Sequence, residues 1–329
     1  MRGADLGTRL SRLREAFTEK ALDGVLITSL NDIYYYTGKA INRPDPGFLL
    51  VTKKAHILYV STLDNSLAGP GVRVLDDFKV LKSELRGAGS LGFDERNMMV
   101  ATYRKLPTSS WKPLSDSLKS LRMVKDMHEI SQIREACRRT ARILSSLEMQ
   151  GKSGLQLSAE IHNTIRLGGD TPAFDPIVAS GKNSAFIHTS PTRDRIGRGL
   201  TIVDMGICYN HYNSDVTRTY LSDPTPEESA LMEQCTSIQL ELRDMATPGT
   251  KFSDIQKRYE ALMKPLGHKV MHGFGHGVGL GIHERPGTGD TLEKGMVLTV
   301  EPGIYKKGLG GCRIEDTILV SDKPVVLSR

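Results

Sequence analysis

The sequence predicts an α+β protein: a smaller α/β domain at the N-terminal end, then a larger domain of helices and antiparallel hairpins. Three observations carry this. Strand-like and helix-like segments alternate over the first 120 residues, amphipathic helical segments follow from residue 128, and a glycine-rich, β-rich texture begins after Gly168-Gly169-Asp170. A length of 329 residues suits about two domains, with the boundary expected between residues 120 and 121.

Residues 6–22 (LGTRLSRLREAFTEKAL) have helical periodicity, which Asp23-Gly24 ends. Residues 25–28 are a short apolar run and read as a strand. Residues 48–52 and 55–60 flank Lys53-Lys54 and read as a β-hairpin. Residues 128–149 form a helix with Ile130, Ile133, Ala136, Ile143 and Leu147 on its apolar face. A second helix is expected over 155–167 and a helix pair between Glu227 and Met263, with strands and turns beyond.

Composition narrows the class. Hydrophobic residues make up 39% and charged residues 25%, as in soluble globular proteins. No stretch is apolar enough to span a membrane. Residues 1–5 lead into a charged helical pattern and not an apolar signal core, so a cytoplasmic location is expected. The net charge is +6, but the basic residues are spread along the chain, which speaks against a nucleic-acid partner. Cys137, Cys208, Cys235 and Cys312 are widely spaced without a CxxC pair, so neither a disulfide scaffold nor a zinc ribbon is expected.

Two hairpins carry the chemistry. Residues 201–208 (TIVDMGIC) and 212–221 (YNSDVTRTYL) are β-rich and meet at Tyr209-Asn210. A turn at those two residues sets Asp204 opposite Asp215, where facing Cβ atoms sit about 5 Å apart. Residues 297–304 (VLTVEPGI) and 313–320 (RIEDTILV) flank a second turn, and centring it on Gly308 sets Glu301 opposite Glu315. Ile202-Val203 and Thr299-Val300 precede the acids, so both hairpins read as core strands. Two buried carboxylates facing each other repel and are costly to desolvate; a divalent cation between them removes both penalties. Four carboxylates with one imidazole suit Mn²⁺, Co²⁺, Fe²⁺ or Zn²⁺, and a two-ion site would place the ions about 3.5–4 Å apart. Such a pair of hairpins is also what an internal pseudo-repeat would leave.

The run 271–286 (MHGFGHGVGLGIHERP) sets His272, His276 and His283 among glycines that permit close approach of backbone or ligand. It contains neither a GxxxxGK[ST] loop nor a GxGxxG opening into a helix, so a nucleotide site is not expected.

Taken together and in order, SGKNSAFIH, IVDMG, YNSDVTRTY, HGFGHGVGLGIHERP, VEPGIY and GCRIEDT resemble the signature set of the pita-bread metallopeptidases (the creatinase/aminopeptidase fold). Within that family they resemble the proline-specific branch, Xaa-Pro dipeptidase (prolidase) and aminopeptidase P. The resemblance implies a pita-bread catalytic domain over 121–329 and a creatinase-like α/β domain over 1–120. It implies five metal ligands, Asp204, Asp215, His276, Glu301 and Glu315, for two divalent ions, Mn²⁺ or Co²⁺ first and Zn²⁺ or Fe²⁺ next, with Asp215 and Glu315 bridging. It implies catalytic roles for His188 and His283 at the substrate carbonyl and the tetrahedral centre, and for Glu301 as proton shuttle. His272, Arg285 and Arg313 become the substrate-binding candidates, and Thr217 a hydroxyl supporting the Asp215 region. Where many prolidases carry an arginine after the HExP segment, Gly287 follows Pro286 here, and Arg285 is the nearest candidate. The implied activity is hydrolysis of Xaa-Pro bonds, foremost in dipeptides, by a metal-bridging hydroxide. Aminopeptidase P action on longer peptides and a non-catalytic peptide-binding scaffold are the alternatives. The implied partners are a small peptide with proline second and a second copy in a homodimer.

Overall fold

Asp5 caps the first helix, its carboxylate accepting from Thr8 N at 3.0 Å, and the computed structural model describes the chain from there, over residues 5–41, 47–75, 77–107 and 110–329. Residues 1–4, on which the expectation of no signal segment partly rests, lie outside the described residues. The chain divides into two compact units, Met1–Arg122 and Met123–Arg329.

In the first unit the order is α1 (Leu6–Glu19), β1 (Gly24–Ile27), α2 (Leu30–Thr37), β2 (Phe48–Thr52), β3 (His56–Ser61), β4 (Val72–Leu75), α3 (Phe78–Arg86), β5 (Leu91–Phe93), α4 (Val100–Tyr103), β6 (Trp111–Pro113) and α5 (Ser115–Leu121). The six strands form one mixed sheet in the order β4-β3-β2-β1-β5-β6. β1 is a central strand, with β2 antiparallel on one edge and β5 parallel on the other, and its apolar run is buried on both faces, Leu26 sharing a core with Leu81 and Leu85 of α3. The expected hairpin is β2–β3, with Phe48 opposite Tyr59.

In the second unit come α6 (Met127–Ser145), α7 (Gly154–Leu167), β7 (Thr171–Pro172), β8 (Ile177–Ser180), β9 (Gly199–Met205), β10 (Ile207–Tyr209), β11 (Tyr212–Asn213), β12 (Val216–Ser222), α8 (Pro226–Met245), α9 (Phe252–Met263), β13 (Val297–Val300), β14 (Gly303–Lys306), β15 (Gly310–Arg313), β16 (Asp316–Leu319) and β17 (Val325–Val326). Capping boxes start three of the helices: Asp126 with Glu129, Ser153 with Gln156, and Thr225 with Glu228. α6 ends at Ser145, short of the expected 149. It buries Ile130, Ile133, Ala136, Cys137 and Leu144, while Ile143 and Leu147 are half-buried. Leu157, Ile161 and Ile165 of α7 share one core with Val203, Met205 and Val216, whereas Leu231, Cys235, Tyr259 and their neighbours on α8 and α9 share another with Leu298, Val300 and Ile318. Each helix pair therefore covers one of the two carboxylate-bearing hairpins.

Both hairpins are interrupted, and the acids sit at or beside the interruptions. β9 stops before Gly206 and β12 begins after Asp215; β13 stops at Val300, so that Glu301-Pro302 leads into β14, and Ile314-Glu315 separates β15 from β16. Pro302 cannot donate to a ladder, which suits it to such a break. Gly206 is required by close approach: a Cβ there would lie 2.1 Å from the carbonyl oxygen of Ser214.

The second hairpin has the expected register. Val300 faces Asp316 and Gly303 faces Arg313, so Glu301 and Glu315 oppose each other across the break. The first does not. Asp204 faces Thr217, not Asp215, because the turn residues are Asn210 and His211, both left-handed with φ of 46° and 71°. Moving the turn by one residue slips the pairing by two, and a slip of two keeps every side chain on its face. Asp204 and Asp215 still point to the same side. The hairpins are stitched together by Glu315 N donating to Thr217 O (3.1 Å) and by the Thr317 hydroxyl donating to Asp215 O (2.7 Å).

Substituting Gly206→Ala forces a methyl onto the Ser214 carbonyl. Overpacking of this kind costs about 1–3 kcal/mol; thermal melting of the variant should show the second unit destabilised by that amount, and unchanged melting would contradict the close approach.

Candidate metal centre

The glycine-rich run reaches the acids because it lies beside β13. Glu301 N donates to Phe274 O (2.7 Å), Thr299 N to His276 O (2.8 Å) and Val278 N to Val297 O (3.1 Å). Gly275 must be glycine for this contact, since a Cβ there would meet Thr299 O at 2.0 Å. His276 is thereby carried over the acids. Its Nδ1 lies 3.2 Å from Gly277 O, and a carbonyl can only accept, so Nδ1 holds the proton and Nε2 is the free lone pair. Nε2 sits 3.3 Å from Glu301 Oε1 and 3.5 Å from Asp215 Oδ2. Ligand atoms of Asp215, His276 and Glu315 all lie within 4.8 Å of one another.

These groups line a cavity of about 560 Å³ together with Asp204, Glu301, His188, His272, His283 and Arg313. Arg313 is buried and fully engaged. It donates to Asp204 Oδ2 (2.7 Å), the Tyr305 hydroxyl (2.9 Å) and Thr217 Oγ1 (3.2 Å). Because Tyr305 accepts from Arg313, its own proton goes to His272 Nε2 at 2.9 Å, while His272 Nδ1 donates to Gly273 O at 2.8 Å. His272 therefore lines the cavity with both nitrogens committed within the protein. The Thr217 hydroxyl donates to Glu315 Oε2 at 2.7 Å, so it supports Glu315 and not the Asp215 side chain. The His283 ring packs edge-on against His276, with centroids 4.2 Å apart. Arg285 is not among the cavity-lining residues; its Nε donates to Asp290 Oδ2 at 3.0 Å and its terminal nitrogen pairs with the other oxygen of Asp290. The structure thus brings together nine of the ten expected site residues and leaves Arg285 on a separate ion pair.

Sequence reasoning missed Tyr305, four residues after Glu301 in the motif VEPGIY, which joins His272 to Arg313. It also missed Thr299, whose hydroxyl accepts from His276 N (3.0 Å) and faces Glu301 Oε1 (3.3 Å).

The electrostatics are those of a site short of positive charge. Burial, then the charges of Glu315, Asp204 and Glu301, holds the Asp215 carboxyl well above the usual carboxylate range. Burial, then Glu301 and Asp204, does the same to Glu315. Burial pushes Glu301 up to about 7, with Arg313 opposing and Asp204 adding. Burial pushes His276 down to about 4, helped by His283, and burial likewise takes His272 down to about 4. Asp204 Oδ1 and Glu315 Oε1 are buried oxygens without a hydrogen-bond partner among the described residues. Hard oxygen donors, a free imidazole lone pair and two orphaned oxygens fit divalent cations.

Residues 131–322 match the metallopeptidase family M24, and residues 9–124 match the creatinase/prolidase N-terminal domain. The chain belongs to metallopeptidase family M24 and is accordingly a peptidase that uses divalent metal. It is 32% identical to the Xaa-Pro dipeptidase of Pyrococcus furiosus, over 95% of both chains. The prolidase of Pyrococcus horikoshii OT3 superposes with a TM-score of 0.91 at 29% identity, covering 98% of each chain. The Xaa-Pro dipeptidase of Bacillus anthracis gives 0.90 at 28% identity, covering 99% of this chain and 98% of that one. The pita-bread expectation and the creatinase-like N-terminal domain hold. Among the described residues no helix is long and apolar enough to cross a membrane.

A pH dependence follows for the metal-free protein. Glu301 has a folded pKa raised above its unfolded value, so its contribution is fully present below pH 4.5 and lost as pH rises through about 7. Asp215 and Glu315 are shifted the same way. His272 and His276 are shifted down and act oppositely, but above about pH 6.5 imidazoles are largely neutral in both states. Chelator-treated protein should therefore melt lower at about pH 8.5 than at about pH 6.5, and added Mn²⁺ should raise the melting temperature more at the higher pH. A metal-free melting curve that is flat or rising over that range would contradict the shifts.

Proposed function

We propose that this metallopeptidase hydrolyses the bond before proline in Xaa-Pro dipeptides, with two divalent cations held by Asp204, Asp215, His276, Glu301 and Glu315. The observation that carries the reading is the convergence of Asp215, Glu301 and Glu315 on His276, in a cavity that also presents Asp204, His188 and His283. The near-full-length similarity to Xaa-Pro dipeptidases supports the substrate class. Mn²⁺ or Co²⁺ is the favoured ion on the strength of the oxygen-rich donor set, and a homodimer is the favoured assembly on the family resemblance.

Bound there, the cations supply an acidified water as nucleophile and a Lewis acid for the scissile carbonyl. The chain does the rest. Glu301 takes the proton of the attacking water at its carboxylate and delivers it to the departing proline nitrogen. His188 and His283 donate hydrogen bonds to the carbonyl oxygen as negative charge grows there. Arg313, fixed by Tyr305 and Thr217, holds Asp204 in place. A dedicated site is needed because an Xaa-Pro bond lacks the N–H that other peptidases grip.

Replacing Glu301 by Gln removes the proton carrier and should lower kcat on Ala-Pro by about 10²–10⁴-fold. Asp204→Asn should remove most Mn²⁺- or Co²⁺-dependent hydrolysis and lower bound metal by elemental analysis. Undiminished activity of the wild type after exhaustive chelation would sink the mechanism. Ala-Pro should be cleaved faster than Ala-Pro-Yaa peptides; the reverse order would assign the chain to the aminopeptidases.

A further inference from the structure

Outside the cavity, the second unit holds an ion pair with both side chains buried that the mechanism does not use. The Lys125 side chain is 0% exposed and the Glu284 side chain 6%, with Nζ and Oε2 3.4 Å apart. The other oxygen of Glu284, Oε1, accepts from Gly281 N at 2.7 Å. One carboxylate thus ties the turn that contains it to a residue just ahead of α6. Gly279 is shaped by the pair: a Cβ there would lie 2.5 Å from Glu284 Oε2 and 3.2 Å from Lys125 Cε. From the other side Asn213 fixes the same turn, its amide nitrogen Nδ2 donating to Gly279 O (3.2 Å) and Leu280 O (3.0 Å). Glu284 N closes the loop on Gly277 O at 2.8 Å.

A buried ion pair is a poor device for stability alone, because an apolar pair of similar volume does as well or better. It does fix geometry, since each charge tolerates displacement from the other badly. The residue next to Glu284 is His283, and Ile282 and His283 are the members of this turn that line the cavity. We infer that Lys125 and Glu284 form a positioning pair: they hold the 277–286 turn so that the His283 ring stays against His276 and faces the reacting carbonyl. The inference rests on the role given to His283 above. Lys125 itself touches neither substrate nor metal ligand in this scheme.

The test is a double-mutant cycle on the metal-loaded enzyme with Ala-Pro as substrate. Lys125→Met should lower kcat by about ten- to a hundredfold, the range for groups that orient a working side chain, with KM and bound metal nearly unchanged. In a His283→Ala background the same substitution should have almost no further effect on kcat, because the group it positions is gone. Should Lys125→Met fail to fold, the neutral double variant Lys125→Met/Glu284→Gln avoids a stranded buried charge, and the cycle is run with it. Three results would overturn the inference: a lower melting temperature with unchanged kcat, an equal loss of kcat with and without His283, or loss of bound metal in step with activity. Were His283→Ala itself to leave kcat intact, the role of His283 proposed above would fall too, which separates the two failures.

Discussion

Everything in the second unit answers to one constraint: four carboxylates must be brought together away from water. Their mutual repulsion and desolvation are visible in the raised Asp215, Glu315 and Glu301 carboxyls. The fold offsets part of that cost. Arg313 neutralises one side by gripping Asp204, Thr217 donates to Glu315, and Thr299 faces Glu301. What is left over is two buried oxygens and an imidazole lone pair turned inward, a remainder that cations complete.

The scaffold meets the constraint by breaking its own strands. A continuous ladder would send successive side chains to opposite faces and hold them at fixed spacing. Interruptions at Asp215, Glu301 and Glu315 free those positions from the ladder, and backbone bonds between the hairpins restore continuity across the gaps. The helix pairs then seal each hairpin from outside, leaving the metal-binding face toward the cavity.

Much of this was legible in the sequence because it rests on local patterns. The helices follow from their apolar periodicity, the buried β1 from an uninterrupted apolar run, and the second hairpin register from its glycine turn. The first register differs by two residues because Asn210 suits either place in a two-residue turn; that it pairs with His211 and not with Tyr209 in the left-handed conformation is decided by context, although Asn and His both tolerate that conformation. The side-chain network was less legible still. That Tyr305 links His272 to Arg313, or that Arg285 turns to Asp290 and not to the cavity, depends on which chain segments meet in space. The motif assigned Arg285 by its place in the row, whereas the nearest acid decides where a guanidinium points.

The hydrogen bond from Arg313 to Asp204 spans 109 residues of chain. During synthesis, a polypeptide grown to residue 300 already carries Asp204, Asp215 and His276, yet it lacks both Glu301 and Glu315 and the guanidinium that steadies the first acid. Such a nascent chain holds a half-built cluster of like charges with no means of closing it. Closing the cluster therefore depends on contacts between segments far apart in the chain, of the kind that cost the most loop entropy to form.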